Sequence, residues 1–97
     1  MQDFEKEFET FCQSPGIDSG KARSYVKAIR YLCDYMEIYI LDDDAISKIK
    51  AVESSVNDKN SKFYHNLLSF LHGRGQTSYL EKGYIRAALK YFNRYFN

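Results

Sequence analysis

The chain has 97 residues, of which 44% are hydrophobic and 16% are aromatic, all of them Tyr or Phe. A chain of this length forms one small domain with a modest core, which leaves little room for an elaborate active site. The formal net charge of +1 hides a division, because residues 1–58 carry seven Lys or Arg against twelve Asp or Glu, whereas residues 59–97 carry seven against one. The C-terminal part is therefore strongly basic and suits an anionic partner.

The chain carries no sequence signal for a membrane or for export. No stretch approaches the roughly 20 consecutive apolar residues that span a bilayer, and residues 1–10 are acidic where a signal peptide is basic and then apolar. We therefore expect a cytoplasmic protein with no membrane partner. Cys12 and Cys33 each fall on the apolar face of a predicted helix, where a free thiol behaves as a small hydrophobe, and we expect both to be reduced.

The spacing of apolar residues predicts helices through most of the chain. The first covers residues 3–12, has a polar and mostly acidic outer face, and ends at the Ser-Pro-Gly segment 14–16. The second runs from Lys21 to Glu37, with Ser19 as its N-cap. Both helices have one apolar stripe, which predicts that each packs against the rest of the domain on one side.

Two polar segments predict the starts of the next helices. The three aspartates 42–44 supply an N-cap and complement the positive end of a third helix, which continues to Val56. Ser61 is expected to cap a fourth helix, which ends at Gly73 in the left-handed conformation. Acids at a helix start explain the aspartates better than a catalytic carboxylate cluster does.

The last helix begins at Thr77 or Ser78 and runs to the end of the chain, and Gly83 predicts a bend or a late start, since glycine weakens a helix by about 1 kcal/mol relative to Ala. No alternating strand pattern is longer than Glu37–Leu41. The predicted fold is therefore all-α, a single domain over residues 1–97 forming a compact orthogonal bundle of about five helices. The predicted buried set is Phe4, Phe8, Ile29, Leu32, Ile49, Leu68, Leu71, Leu89 and Phe92.

The second and last predicted helices each carry a basic face. On the second helix this face consists of Arg23, Lys27 and Arg30. On the last it is a ridge with one cation at every fourth position, made of Lys82, Arg86, Lys90 and Arg94. Like charges at this spacing destabilise a helix by about 0.2–0.5 kcal/mol per pair, and only Glu81 is nearby to offset them. Charge runs are often only solvated surface, but an anionic partner such as phosphate would repay this cost.

The order of these elements resembles a known family. The segment Ser24–Met36, the Asp-capped helix at Asp44-Ala-Ile-Ser-Lys-Ile and the segment Ile85–Phe96 look like the helical, SAM-like core-binding domain of tyrosine recombinases and phage integrases. In that family this domain clamps one side of duplex DNA with its second and last long helices, while a separate C-terminal domain does the cutting. The resemblance implies that both basic faces contact DNA. The chain also stops at Asn97 in mid-pattern, so we expect it to be the N-terminal part of a longer protein.

Enzymatic interpretations have little support in the sequence. His65 and His72, together with the two cysteines, are four possible zinc ligands, but no pair has the short Cys-x-x-Cys or His-x-x-x-His spacing of such sites. The Gly-Arg-Gly-Gln segment 73–76 lacks the Gly-Lys-Ser/Thr ending of a nucleotide-binding loop, although Arg74 within it is a candidate for contact with a DNA backbone. We expect no catalytic residue, metal, cofactor or small-molecule substrate.

Two functions remain open at this point. The first is a non-catalytic clamp or targeting module that binds duplex DNA, within an integrase, a recombinase or another DNA-processing protein. The alternative is a protein–protein adaptor, in which the acidic face of the first helix pairs head to tail with the basic face of the last helix in another copy, or one of these faces docks a different protein. The candidate DNA contacts are Arg23, Lys27, Arg30, Arg74, Lys82, Arg86, Lys90 and Arg94.

Overall fold

The computed structural model describes residues 2–14, 16 and 18–97, and this part of the chain contains helices and no strand. Its seven helical segments are α1 (Gln2–Gln13), α2 (Ser19–Met36), α3 (Asp43–Ala51), α4 (Glu53–Val56), α5 (Lys62–Gly73), α6 (Ser78–Glu81) and α7 (Tyr84–Tyr95). The all-α prediction is therefore confirmed. None of the described helices combines the length and the apolarity that crossing a bilayer demands.

The first two helices differ from the prediction only at their ends. α1 ends at Gln13, and Pro15, which the sequence places at that end, lies outside the described residues. The N-cap of α2 is Asp18 rather than Ser19, because the Asp18 carboxylate accepts a 2.9 Å hydrogen bond from the amide of Lys21. Aspartate and serine cap equally well, so the sequence alone favours neither position.

Each of the third and last predicted helices is divided in two. At Val52 the backbone amide bonds to the carbonyl of Ile49, three residues back, which tightens the turn between α3 and α4. Valine and the serines that follow it have low helix propensity, which favours a break there. In the last helix Gly83 has φ 84, a conformation that glycine adopts without a Cβ penalty, and it separates α6 from α7. The late start that Gly83 predicts is therefore confirmed.

The predicted left-handed end of α5 at Gly73 is wrong. Gly73 is the last residue of the helix, Arg74 follows it with φ −101, and the left-handed conformation occurs at Gly75, with φ 68. The amides of Arg74 and Gly75 bond to carbonyls three residues earlier, at 3.0 Å each, so the chain makes one further tight turn before it reverses. This extra turn carries Arg74 onto the side of the domain where α2 lies.

The hydrophobic core lies between α2 and α7, with α1 packed against both helices. The largest fully buried side chains are Phe8, Phe92, Ile29, Leu32, Ile49, Leu67, Leu71, Ile85 and Leu89. Seven of the nine residues predicted to be buried are so, whereas Phe4 and Leu68 are half-buried. In α5 the fully buried leucines are Leu67 and Leu71, and Leu68 lies at the edge of the core.

A cluster of aromatic rings holds α1 to α7. Phe4 stacks on Phe8 and on Phe96 at centroid distances of 5.2 and 5.7 Å, and it meets Phe92 and Tyr95 edge-on. Aromatic pairs in these geometries contribute about 0.5–1.5 kcal/mol each beyond the area that they bury. The cluster therefore fixes how α1 lies on the domain, and with it the positions of the acidic residues of α1.

Candidate functional site

The basic face predicted on α2 is partly neutralised by α1. The guanidinium of Arg30 donates two hydrogen bonds to Glu5, from Nε to Oε2 at 2.9 Å and from Nη2 to Oε1 at 3.0 Å. The hydrogen-bonded Glu5 carboxylate raises the pKa of Arg30 above its ordinary value. Arg23 lies 3.9 Å from Glu9, a longer and more exposed contact. Lys27 is exposed and forms no ion pair within the described part of the chain.

Arg74 is also engaged within the molecule. Its Nη1 donates a 2.9 Å hydrogen bond to Asp34 Oδ2 on α2, and its guanidinium carbon lies 4.6 Å from the ring centroid of Phe70. A two-sided contact of this kind ties the loop after α5 to α2. The structure thus gives Arg74 a packing role, which the sequence did not indicate.

The cations of the last helix have no carboxylate partner within the described part of the chain. Arg86, Lys90 and Arg94 are exposed and lie at successive turns of α7, and we call the surface that they form the α7 flank. Lys82 does not belong to it, because Gly83 ends the helical path and leaves Lys82 at the C-cap of α6. The predicted ridge of four cations on one helix is wrong to this extent. Among the described residues, none of these four cations forms an ion pair.

Contacts on both sides of the α7 flank hold α7 in place. Tyr91 stacks on Tyr25 of α2 at 5.4 Å, and the guanidinium of Arg94 lies 5.5 Å from the Tyr91 ring centroid. On the side of α4, Asn93 donates a hydrogen bond from Nδ2 to the carboxylate of Glu53. Glu53 is thus engaged by an amide and not by a cation of the flank. Within the described part of the chain, no ion pair offsets the positive charge of the flank.

A pocket of about 110 Å³ opens where α6 gives way to α7. Its lining includes three cations, Lys59 from the loop before α5, Lys82 and Arg86, and one acid, Glu81. A Cβ placed on Gly83 would lie 3.1 Å from Nη2 of Arg86, so the Arg86 side chain runs back over Gly83 toward this pocket. The pocket and the α7 flank therefore share Arg86.

Sequence reasoning missed Lys59 as a candidate. It lies in the polar link between the third and fourth predicted helices, outside both basic faces that the sequence predicts. Only the packing of the α4–α5 connection against the α6–α7 corner places Lys59 beside Lys82 and Arg86. No pattern within the sequence carries that signal.

The acidic face of α1 is turned onto its own chain. Glu5 and Glu9 face arginines of α2, and Glu7 accepts a 2.9 Å hydrogen bond from the Tyr95 hydroxyl of α7. Burial and this hydrogen bond together raise the pKa of Tyr95. Three glutamates that the adaptor alternative needs for a partner therefore have partners within the molecule.

Two further features bear on chemistry. Within the described ranges, no three His, Cys, Asp or Glu side chains come together as a possible metal site. Cys12 and Cys33 are free and buried, and burial raises the pKa of each thiol to about 12. Neither thiol is therefore activated at neutral pH.

No family model, curated protein or solved structure matches this chain. The residues of the chain itself provide an exposed basic surface on α7 and a small cation-lined pocket at its start.

Proposed function

We propose that this domain binds duplex DNA without cutting it, and that the α7 flank supplies the main contacts with DNA phosphates. One observation carries the proposal: Arg86, Lys90 and Arg94 are exposed at successive turns and form no ion pair among the described residues. Three unpaired like charges along one helix cost stability, and a polyanion would offset that cost.

The spacing of the flank suits a DNA backbone. Residues four apart on a helix are separated by about 6 Å along its axis, so the three cations span about 12 Å. Duplex DNA carries one negative charge per about 1.7 Å of its axis, which puts several phosphates within reach of Lys and Arg side chains over that length. Contacts of this kind fix position and affinity but do not read sequence.

The other candidate residues take a lesser role in this proposal. Arg30 and Arg74 are held by carboxylates, and removing them from those partners for DNA would cost the hydrogen bonds that they already make. Arg23, whose side chain is 69% exposed, and Lys27 remain available as secondary contacts. We propose further that the domain is a clamp or targeting module of an integrase, recombinase or other DNA-processing protein in the cytoplasm, in line with its resemblance to SAM-like core-binding domains.

The test is DNA binding by a charge-reversed flank. Fluorescence anisotropy with a labelled 20-base-pair duplex should give a Kd of about 10⁻⁴–10⁻⁶ M at physiological salt, with a log–log salt slope of about −2.7 for three phosphate contacts. The double variant Lys90→Glu, Arg94→Glu leaves one cation of the flank. Its affinity for DNA should fall, and its salt slope should flatten to about −0.9 or to a value closer to zero.

The matched control is Lys6→Glu, Lys21→Glu, which makes the same change in net charge at exposed lysines of α1 and α2. It should keep the parent slope and most of the parent affinity. Equal losses in both double variants would mean that only net charge matters, and the proposal would then fail.

The adaptor alternative makes a different prediction. Head-to-tail pairing of acidic and basic faces should give oligomers at low salt that dissociate at high salt. Because Glu5, Glu7 and Glu9 have partners within the molecule, we expect one monomeric peak in size-exclusion chromatography at both salt concentrations. A salt-sensitive shift to larger species would favour the adaptor over the DNA-binding module.

A further inference from the structure

The pocket at the start of α7 gathers cations from three separate parts of the chain. Lys59 comes from the α4–α5 loop, Lys82 from the end of α6, and Arg86 from the first turn of α7. Glu81 is the one acid among the residues lining it, and within the described part of the chain it forms no ion pair with the three cations. The pocket therefore has an excess of positive charge that nothing in its lining neutralises.

The backbone at this corner adds partial positive charge to that of the side chains and therefore also favours a negatively charged ligand. Gly83 begins α7 in the left-handed conformation and leaves the first turn without a side-chain cap. The Arg86 guanidinium lies over Gly83, where a Cβ would be only 3.1 Å from its Nη2. Glycine at this position thus lets the guanidinium lie against the backbone at the mouth of the pocket, while the helix end adds its own partial positive charge.

We propose that this pocket binds a phosphate group. A tetrahedral phosphate oxyanion accepts hydrogen bonds on several sides, and three cationic residues line one recess of about 110 Å³. A recess also concentrates the field of its charges more than an exposed ridge does. The cations of the α7 flank lie in a row on an open surface. The pocket differs from the flank because it can hold one phosphate group in a fixed position. Neither Lys59 nor Lys82 belongs to the flank.

The first test uses inorganic phosphate as the probe and the full chain. Amide spectra are recorded as phosphate is added at constant ionic strength, with sodium chloride as the matched arm. We expect saturable shifts at Lys59 and over residues 82–86 with phosphate, and none of that pattern with chloride. Shifts that do not saturate, that chloride reproduces, or that spread over the exposed lysines elsewhere would overturn the proposal.

Two variants should change the affinity for phosphate in opposite directions. Lys59→Ala, Lys82→Ala should weaken phosphate binding about tenfold or more, because it removes two charge-assisted hydrogen bonds from the recess. Glu81→Gln should tighten binding, since it removes the one negative charge from the lining. A merely structural role for these residues would not produce a gain on one substitution and a loss on the other. Unchanged affinity in both variants would contradict the site.

A second arm identifies the source of the phosphate and separates this proposal from the DNA-binding proposal. Lys90→Glu, Arg94→Glu should keep inorganic phosphate binding at the pocket while losing DNA affinity. If duplex DNA displaces inorganic phosphate from the parent, the site takes a nucleic-acid phosphate, and duplexes with and without a 5′-phosphate then distinguish an end from the backbone. If DNA does not displace it, free phosphate is the ligand and the site stands without DNA. Loss of phosphate binding in the flank variant would contradict an independent pocket.

Discussion

The helices α2 and α7 share a pattern of apolar, tyrosine and basic positions, but their surroundings differ. Each has an apolar stripe in the core, tyrosines beside it and cations on the remaining face. On α2 the guanidinium of Arg30 is bonded twice to Glu5 of α1, whereas on α7 neither Lys90 nor Arg94 forms an ion pair among the described residues. The same sequence pattern therefore gives α2 an arginine that is bonded within the domain, whereas it gives α7 a charged surface that is free to bind a partner.

The difference arises from where α1 lies. Its aromatic residues dock on α7 through Phe92 and Phe96, and this docking presents its glutamates to the arginines of α2. A basic face on an amphipathic helix is thus not by itself a binding surface. What decides its role is whether a neighbouring element supplies the opposite charge.

The largest expected effect comes from loosening the docking of α1. Phe92→Ala should lower the free energy of unfolding by about 3–5 kcal/mol, because it leaves a cavity in the core and removes the aromatic contacts with α1. Urea denaturation followed by circular dichroism measures the loss. Lys90→Ala, at an exposed position of the same helix, should stay within about 0.5 kcal/mol of the parent. A Phe92→Ala variant as stable as the parent would mean that α7 and α1 do not pack as described.

A rise in pH should lower the stability of the domain by a smaller amount, through the buried thiols of α1 and α2. The folded pKa of Cys12 on α1 and of Cys33 on α2 is about 12, against 9.0 for an exposed thiol. Well below pH 9 the thiols keep their protons in both states and make no difference to stability. As pH rises through 9 the thiols ionise first in the unfolded state, so the free energy of unfolding falls. At pH 9.5 the free energy of unfolding should be lower than at pH 8 by about 1 kcal/mol per thiol.

Urea denaturation at the two pH values measures this loss. The variant Cys12→Ala, Cys33→Ala is the control, and its stability should decline less over the same interval. Some decline should remain, because burial also raises the pKa of Tyr25 and Tyr79. An equal decline in parent and variant would show that the two thiols are not shielded from solvent.

The smallest effect on stability should accompany a gain in binding. Glu5→Gln, Glu9→Gln removes the carboxylates that face Arg30 and Arg23, and should cost about 1 kcal/mol or less, since both pairs lie near the surface. The arginines that it frees should strengthen DNA binding and steepen the salt slope by up to about 1.8, which would make α2 resemble α7.

The matched control for this gain is Asp3→Asn, Glu37→Gln, which changes the net charge equally at exposed acids that form no ion pair among the described residues. It should leave the salt slope near that of the parent. If the control steepens the slope as much, the contrast between α2 and α7 does not depend on α1.

The elements that sequence reasoning predicted well are those set by local chemistry. Apolar periodicity gave the helices and most of the buried residues, and Gly83 gave the late start of α7, because a glycine with positive φ acts within its own turn. Periodicity failed at Val52, where no glycine or proline marks the break between α3 and α4. The glycine signal was wrong at Gly73, where α5 ends as predicted but the left-handed conformation occurs two residues later, at Gly75.

The candidate site was less predictable because it depends on contacts between distant residues. Charge and spacing pointed correctly to Lys90 and Arg94 as an exposed basic surface. They could not show that Arg30 binds Glu5, 25 positions away, or that Lys59 lies beside the start of α7. A one-dimensional pattern gives the charge of a helix face, but the identity of its neighbour comes only from the fold.

The most direct test compares the arginine side chains of the two helices in a single experiment. Two-dimensional NMR of the Nε–Hε groups is recorded as a 20-base-pair duplex is added at low salt. We predict that the signals of Arg86 and Arg94 shift and saturate together, while the signal of Arg30, whose Nε donates to Glu5, stays in place. Movement of Arg30 with Arg86 and Arg94 unchanged, or no movement at all, would contradict the proposal that the α7 flank binds DNA.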